Sequence, residues 1–174
     1  HVARMLELLG DPPARAAESA EAILRIETAL AKASLTAVEK RDPYKVYHRM
    51  NRAEVQALTP GFSWAEYLKA AGKPHLEALN VTEPDFFGEL ARLLSGEPLA
   101  AWRNYLRWHL VSERAPYLSS AFAQEDFAFR QGALRGVKER PPRWRQCVQL
   151  VDRDLGEALG QVFLVGHFDR RPAL

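Results

Sequence analysis

The sequence has a single cysteine, Cys147, so no disulfide closes within the chain and a disulfide-stapled scaffold is excluded. No apolar run approaches the roughly 20 residues that a membrane-spanning helix requires. The opening His1-Val2-Ala3-Arg4 has no Met, no basic stretch and no long apolar core, so no secretory signal or other targeting segment is visible, and an excised or processed piece is expected. No two of His1, His48, His75, His109 and His167 stand three to five residues apart. With no H-E-x-x-H and no C-x-x-C either, no helix presents paired zinc ligands. The phosphate-cradling patterns G-x-x-x-x-G-K-[ST] and G-x-G-x-x-G are missing, and Ser63 lacks the G-x-S-x-G elbow of a hydrolase nucleophile.

What is present is ordinary globular composition: 174 residues, 47% hydrophobic and 26% charged, with a net charge of +2. That length suits one domain or one lobe of a larger protein. Residues 1–87 carry 11 Lys and Arg against 12 Asp and Glu, and residues 88–174 carry 13 against 10. The basic excess gathers at Arg130, Arg135, Lys138, Arg140, Arg143 and Arg145. Glu139 and Pro141-Pro142 interrupt it, so it reads first as a solvated surface, ahead of an acidic partner or nucleic acid.

The periodicity is helical almost throughout. Val2, Met5, Leu6 and Leu9 precede a stop at Gly10, and Asp11-Pro12-Pro13 reads as an N-cap with proline in the first turn. Ile23, Ile26, Leu30 and Ala33 form an apolar stripe to about residue 34. Asn51 to Glu54 and Ser63 to Glu66 look like capping boxes opening short helices to about Leu58 and Ala71. A short extended piece is expected at Leu79-Asn80-Val81. A helix follows from Thr82 and Pro84 to Ser95-Gly96. Leu99, Trp102, Leu106 and Leu110 mark one face of a helix over 98–115, ended or kinked by Pro116. Another helix runs through Phe122, Phe127, Phe129 and Leu134 to Gly136. A last one, carrying Trp144, Val148, Val151, Leu155, Leu159 and Val162, runs to about Phe168. The expected fold is all-α: one irregular multi-helix domain over 1–174, with helices of unequal length.

The chemistry-bearing residues are few. His109 reads as a hydrogen-bonded histidine at the edge of the core. Cys147 reads as a buried apolar residue or half of a disulfide to a segment elsewhere, ahead of a thiol activated by nearby arginines. The carboxylate pairs Glu125/Asp126 and Asp152/Asp154 do not face each other on a helix and read as solvated. Gly156-x-x-x-Gly160 offers close approach to another helix, and Asn80-Val81-Thr82 is a glycosylation sequon. Trp64, Trp102, Trp108 and Trp144 read as core anchors rather than a ligand cage. No catalytic and no metal-binding residue emerges.

Several segments, in order, resemble the N-terminal helical lobe of the neprilysin-like zinc metalloendopeptidases, a family that includes endothelin-converting enzymes and bacterial oligopeptidases. Arg41-Asp42-Pro43 with Tyr47 and Met50 is similar to that family's R-x-D-P, Y and M. Phe62-Ser63-Trp64 resembles its F-x-W, Tyr105 to Trp108 falls in its long central helix, and Phe127-Ala128-Phe129 with Leu134-Arg135-Gly136 resembles its F-x-F and L-x-G. Arg143 to Val148 is similar to R-W-x-x-C-V, and Ala158 to Phe163 with trailing Phe168 is similar to A-x-G-x-L-Y with F. Asn51 stands where Thr is usual and Phe163 where Tyr is usual.

The resemblance implies a fragment of a zinc-dependent peptidase that cleaves oligopeptides. This portion would cover the active-site chamber, restrict substrate size and be inactive alone. It implies zinc in the whole enzyme and none on this chain, because the family's H-E-x-x-H, E-x-x-x-D and N-A-[FY] motifs do not occur here. No catalytic, metal-binding or substrate-binding residue is therefore assigned. The implied partners are the catalytic lobe of the same polypeptide and oligopeptide substrates, with no nucleic acid and no membrane contact from this segment. The implied location is extracytoplasmic, with Cys147 free or paired to a segment outside the chain. The competing reading is a self-contained helical module that binds a partner peptide or helix.

Overall fold

The first helix, α1 (Val2–Leu8), stops at Gly10, whose φ of +96° is one that a residue with a side chain rarely adopts. This computed structural model describes residues 1–168. Helix α2 (Pro13–Ala33) begins with Pro13 in its first turn, as expected. Asp11 is not its cap: Pro12 takes that position, and the Asp11 carboxylate instead accepts a bond from Arg107 at 2.5 Å. An ion pair to a guanidinium outcompetes a local cap because both ends are charged. Ala16, Ala20, Ile23, Ile26 and Leu30 recur at three- and four-residue steps along α2, and all are buried.

A single 3₁₀ turn, Glu39–Arg41, precedes Asp42-Pro43. Asp42 Oδ1 accepts the Tyr44 N–H at 2.9 Å, a turn that the side chain itself closes. Strand β1 (Arg49–Asn51) pairs antiparallel with β2 (Ala78–Asn80), Met50 opposite Leu79. The extended piece near Leu79 was legible; its partner was not.

Asn51 builds a full capping box for α3 (Arg52–Leu58). Its Oδ1 accepts from Ala53 and Glu54 N–H at 2.9 and 3.0 Å, and Glu54 accepts the Asn51 N–H at 2.7 Å. At α4 (Trp64–Ala70), Ser63 Oγ accepts the Glu66 N–H at 3.4 Å, one half of such a box. Helices α5 (Pro84–Gly96) and α6 (Leu99–Arg114) follow, and Pro116 turns the end of α6 into a 3₁₀ turn at Ala115–Tyr117. Helix α7 (Ser120–Asp126) runs into a π-helical stretch at Phe127–Ala133. Gly136, at φ +70°, ends that segment, and α8 (Arg143–Phe168) closes the described chain. The architecture is all-α, with one two-stranded sheet among the described residues.

The chain divides into two compact units, His1–Asp126 and a second beginning at Phe127. In the first unit, Met5, Val111 and Ala115 pack with Trp108, while Leu6, Ala16 and Ile23 pack with Tyr105 and Trp108. Ile26, Leu30, Leu93 and Ala101 form a further cluster. Val55, Trp64 and Val81 fill the space behind the small sheet.

Helix α6 presents a different face from the one its leucines suggest. Ala101, Tyr105, Trp108 and Val111 face the core, whereas Leu99, Leu106 and Leu110 are exposed. The two aromatic rings fill more core volume than the leucines would, and small Ala101 admits Ile26 and Leu93 beside it. Ile26→Ala is therefore expected to cost about 2–5 kcal/mol of unfolding free energy. Leu106→Ala should stay within about 0.5 kcal/mol. Urea unfolding of both variants measures the difference, and equal losses would contradict this assignment of faces.

Candidate functional site

Two concavities lie in the first unit. A shallow groove of about 640 Å³ runs between α2 and α5, with Leu24, Arg25, Thr28, Lys32 and Glu89 on its walls. A more enclosed cleft of about 410 Å³ is lined by Leu35, Glu39, Tyr44, Lys45, His48, Thr82, Glu83 and Asp85. The cleft holds the richer set of ionisable groups, and the loop after α2 meets the start of α5 there.

Its carboxylates Glu39 and Glu83 are committed to lysines and to N–H and O–H donors around them. Glu39 accepts from Lys45 Nζ at 2.9 Å, Thr36 N–H at 3.0 Å and Thr36 Oγ1 at 2.8 Å. The Lys45 ammonium and these donors hold its carboxyl down at about 2. Glu83 accepts the Leu35 N–H at 2.7 Å and pairs with Lys40 at 3.0 Å. Burial alone would raise its pKa; the lysine and the N–H outweigh that and hold it below the ordinary carboxylate value. His48 Nδ1 lies 3.1 Å from the Val81 carbonyl. Asn80 spans the same loop: its Oδ1 accepts the His48 N–H at 2.7 Å and its Nδ2 donates to the Val46 carbonyl at 2.9 Å. The sequon asparagine is thus a pin between β2 and the segment before β1.

A second polar cluster joins α2 to α6. His109 Nε2 is 2.8 Å from Glu27 Oε1, the Tyr105 ring lies 4.4 Å from the His109 ring, and the Glu27 carboxylate also acts on the Tyr105 phenol. Burial, and then the Glu27 carboxylate, push the Tyr105 phenol up to about 12. Tyr105 and His109 stand four residues apart on one helical face, a signal available in the sequence; Glu27 became visible only with the tertiary structure. The hydrogen bond expected of His109 is present, but the ring is exposed.

The other singled-out residues are dispersed. Ser63 caps a helix. Glu125 lies 3.0 Å from His1 Nδ1 and Asp126 is buried, so the solvated reading fails for that pair; the side chain that packs over α7 is one distant in sequence. Asp152 and Asp154 are exposed, as expected. Cys147 is exposed and has no disulfide partner within the described residues, which corrects its reading as a buried residue because the apolar face of α8 is itself exposed, and leaves the pairing to a segment elsewhere as an expectation. Trp64 is buried and donates to Thr59 Oγ1 at 2.7 Å, while Trp102 and Trp108 are half-buried in core clusters. Trp144 departs from the core-anchor reading: it is exposed, with the Arg145 guanidinium 5.7 Å from its ring centroid. The basic residues from Arg130 to Arg145 are exposed apart from half-buried Arg140, which donates to Gln146 at 3.1 Å. Among the described residues no three of His, Cys, Asp or Glu converge as metal ligands, and no helix is long and apolar enough to cross a membrane.

Comparison with known proteins gives one consistent result. The N-terminal profile described as Peptidase family M13 matches residues 1–172. Endothelin-converting enzyme 1 of Rattus norvegicus is 30% identical over 150 residues, covering 84% of this chain and 20% of that protein; the Homo sapiens protein of the same name is 29% identical over the same span. Zinc metalloprotease Zmp1 of Mycobacterium tuberculosis, solved in an open state and in complex with an inhibitor, superposes with a TM-score of 0.86 in both cases. The identity there is 33%, over 97% of this chain and 26% of Zmp1. The chain therefore spans about a fifth to a quarter of the length of these relatives.

The Glu27–Tyr105 contact generates an alkaline test. The folded phenol ionises near 12, against about 10 in an unfolded chain. The stability this contributes is complete below pH 10 and is lost as pH rises from about 10 to 12. Phenolate absorbance should show one tyrosine titrating late, and Tyr105→Phe should remove both that late step and its share of the alkaline loss. A late step that survives the substitution would assign it to another tyrosine.

Proposed function

The chain belongs to peptidase family M13, and from that premise we propose that it is part of a zinc-dependent metalloendopeptidase acting on oligopeptides. In this reading the 174 residues form the helical lobe that covers the active-site chamber and limits substrate size. The observation that carries the proposal is the match across residues 1–172 to the N-terminal part of a peptidase family, by a chain spanning only a fifth of its relatives. Zinc, its ligands and the general base belong to the remainder of the polypeptide. Hydrolysis by a bound zinc needs three protein ligands and an activated water, whereas a covering lobe needs shape and an interface.

The chemistry within the lobe suits this division of labour. Glu39, Glu83, Glu97 and Glu27 are each engaged by a cation, an N–H or a hydroxyl of the fold, an arrangement that stiffens a wall. An extracytoplasmic location goes with the same proposal.

Elemental analysis and a chelator-controlled peptide-cleavage assay, run on this chain and on a polypeptide extended to the length of its relatives, test the reading. The short chain should hold no stoichiometric zinc and cleave nothing, while the extended one does both. Chelator-sensitive cleavage by the short chain alone would overturn the assignment of the chemistry to the remainder.

A further inference from the structure

The second unit opens with a segment whose charge departs from the rest of the chain. From Phe127 to Val151 there are six Lys and Arg, and Glu139 is the single acidic residue, whereas the whole chain holds 24 Lys and Arg against 22 Asp and Glu. Five of the six cations fall in the twelve residues from Leu134 to Arg145. The same twelve carry the exposed apolar side chains Leu134, Val137 and Trp144, at 67%, 40% and 63% exposure. The turn between them is held in shape. Gly136, at φ +70°, reverses the chain; its N–H donates to the Gly132 carbonyl and the Val137 N–H to the Gln131 carbonyl, both at 2.9 Å. Pro141-Pro142 fix two φ angles ahead of α8, and the Arg145 N–H donates to the Pro142 carbonyl at 3.0 Å. The first two turns of α8 add no carboxylate, the next after Glu139 being Asp152.

We propose that this basic turn is a docking surface for an anionic phospholipid bilayer, which it lies against and does not cross. Charge complementarity selects the partner first: clusters of about four to eight Lys and Arg are drawn to the negative potential of an anionic leaflet. The exposed side chains then favour a bilayer over nucleic acid. Leu134 and Val137 gain nothing from a phosphodiester chain, but they leave water at the boundary between headgroups and acyl chains. Trp144 suits the same boundary, an apolar ring with one N–H. The Arg145 guanidinium, 5.7 Å from its ring centroid, brings a cation to the same depth. A turn already held by its own hydrogen bonds and prolines loses little freedom on docking. The family resemblance implied no membrane contact from this segment; the surface of the second unit argues otherwise, and peripheral contact needs no membrane-spanning helix. The proposal stands on the second unit alone and does not require the peptidase reading.

Sedimentation with vesicles tests this, on the 174-residue chain and on the polypeptide extended to the length of its relatives. Both should bind phosphatidylcholine vesicles containing about a third phosphatidylglycerol, less tightly as salt rises, and neither should bind phosphatidylcholine alone. Arg135→Gln with Lys138→Gln should weaken binding roughly tenfold or more and flatten its salt dependence. Lys69→Gln with Lys73→Gln, an equal loss of charge at exposed positions of the first unit, should leave binding unchanged. Trp144→Ala should weaken binding several-fold and keep the salt dependence. Tryptophan emission should shift to the blue on binding, and Trp144→Phe should abolish that shift while binding persists. Equal binding to the two kinds of vesicle, equal effects of the two double substitutions, a blue shift that survives Trp144→Phe, or loss of binding in the extended polypeptide would each overturn the proposal. So would tighter binding, at the same salt, to duplex DNA or to polyglutamate, which would assign the cations to that partner instead.

Discussion

The first unit depends on the burial of one stripe of α2. Ile23 and Ile26 are three residues apart and fully buried, yet they serve different clusters, one with Leu6 and Ala16, the other with Leu30, Leu93 and Ala101. A single helix therefore fastens α1, α5 and α6 at once. Helix α1, with 7 residues, is far below the length at which an isolated helix persists in water and exists because Met5 and Leu6 are fully buried. The unequal helix lengths follow: α2 must reach every neighbour, and each neighbour needs to be only as long as its own contact.

Around that spine, polar side chains act as registration marks. Asp11 with Arg107, Ser19 with Asn104 and Glu27 with His109 join α2 or its approach to α6, and Arg25 grips Glu97 with two bonds at 2.9 and 2.8 Å. Hydrophobic burial is non-directional, so it sets which faces meet but not their rotation or sliding. Bonds between named atoms supply that. Carboxylates spent in this way fix the register of the helices they join.

Much of the first unit was legible because its signals are local. Gly10, the Asn51 box, Pro116 and the α2 stripe each act within a few residues, and the elements began and ended close to where those residues stand. The errors came from competition at a distance. Asp11 prefers an arginine 96 positions away to its own helix, and α6 turns aromatic rings inward where its leucines suggested the core. Strand β1 escaped notice because three residues carry no usable alternation. Next to the cleft in sequence, the motif residues Arg41, Asp42 and Pro43 pointed to a family, while Glu39, Lys45, Glu83 and Asn80, whose bonds hold the surrounding loop, carry no pattern of their own. Periodicity located α8 well but could not say that its stripe faces outward, because a stripe looks the same whether or not its partner belongs to the same piece of chain.

The exposed stripe also bears on how such a protein is made. Near its end Val162, Phe163, Leu164 and Val165 follow one another without a charge, and all four are more than half exposed. As a helix this run is benign; opened into a strand it has the β-branched and aromatic, uncharged, proline-free character of segments that stack into cross-β aggregates. A ribosome synthesising a chain from its N-terminus finishes α8 before any residue that follows it, so helix formation is its first protection. Asp152, Asp154 and Glu157 upstream act as charged gatekeepers during that interval. The helical state of the last segment, and not only the burial achieved in the first unit, therefore bears on the solubility of the chain.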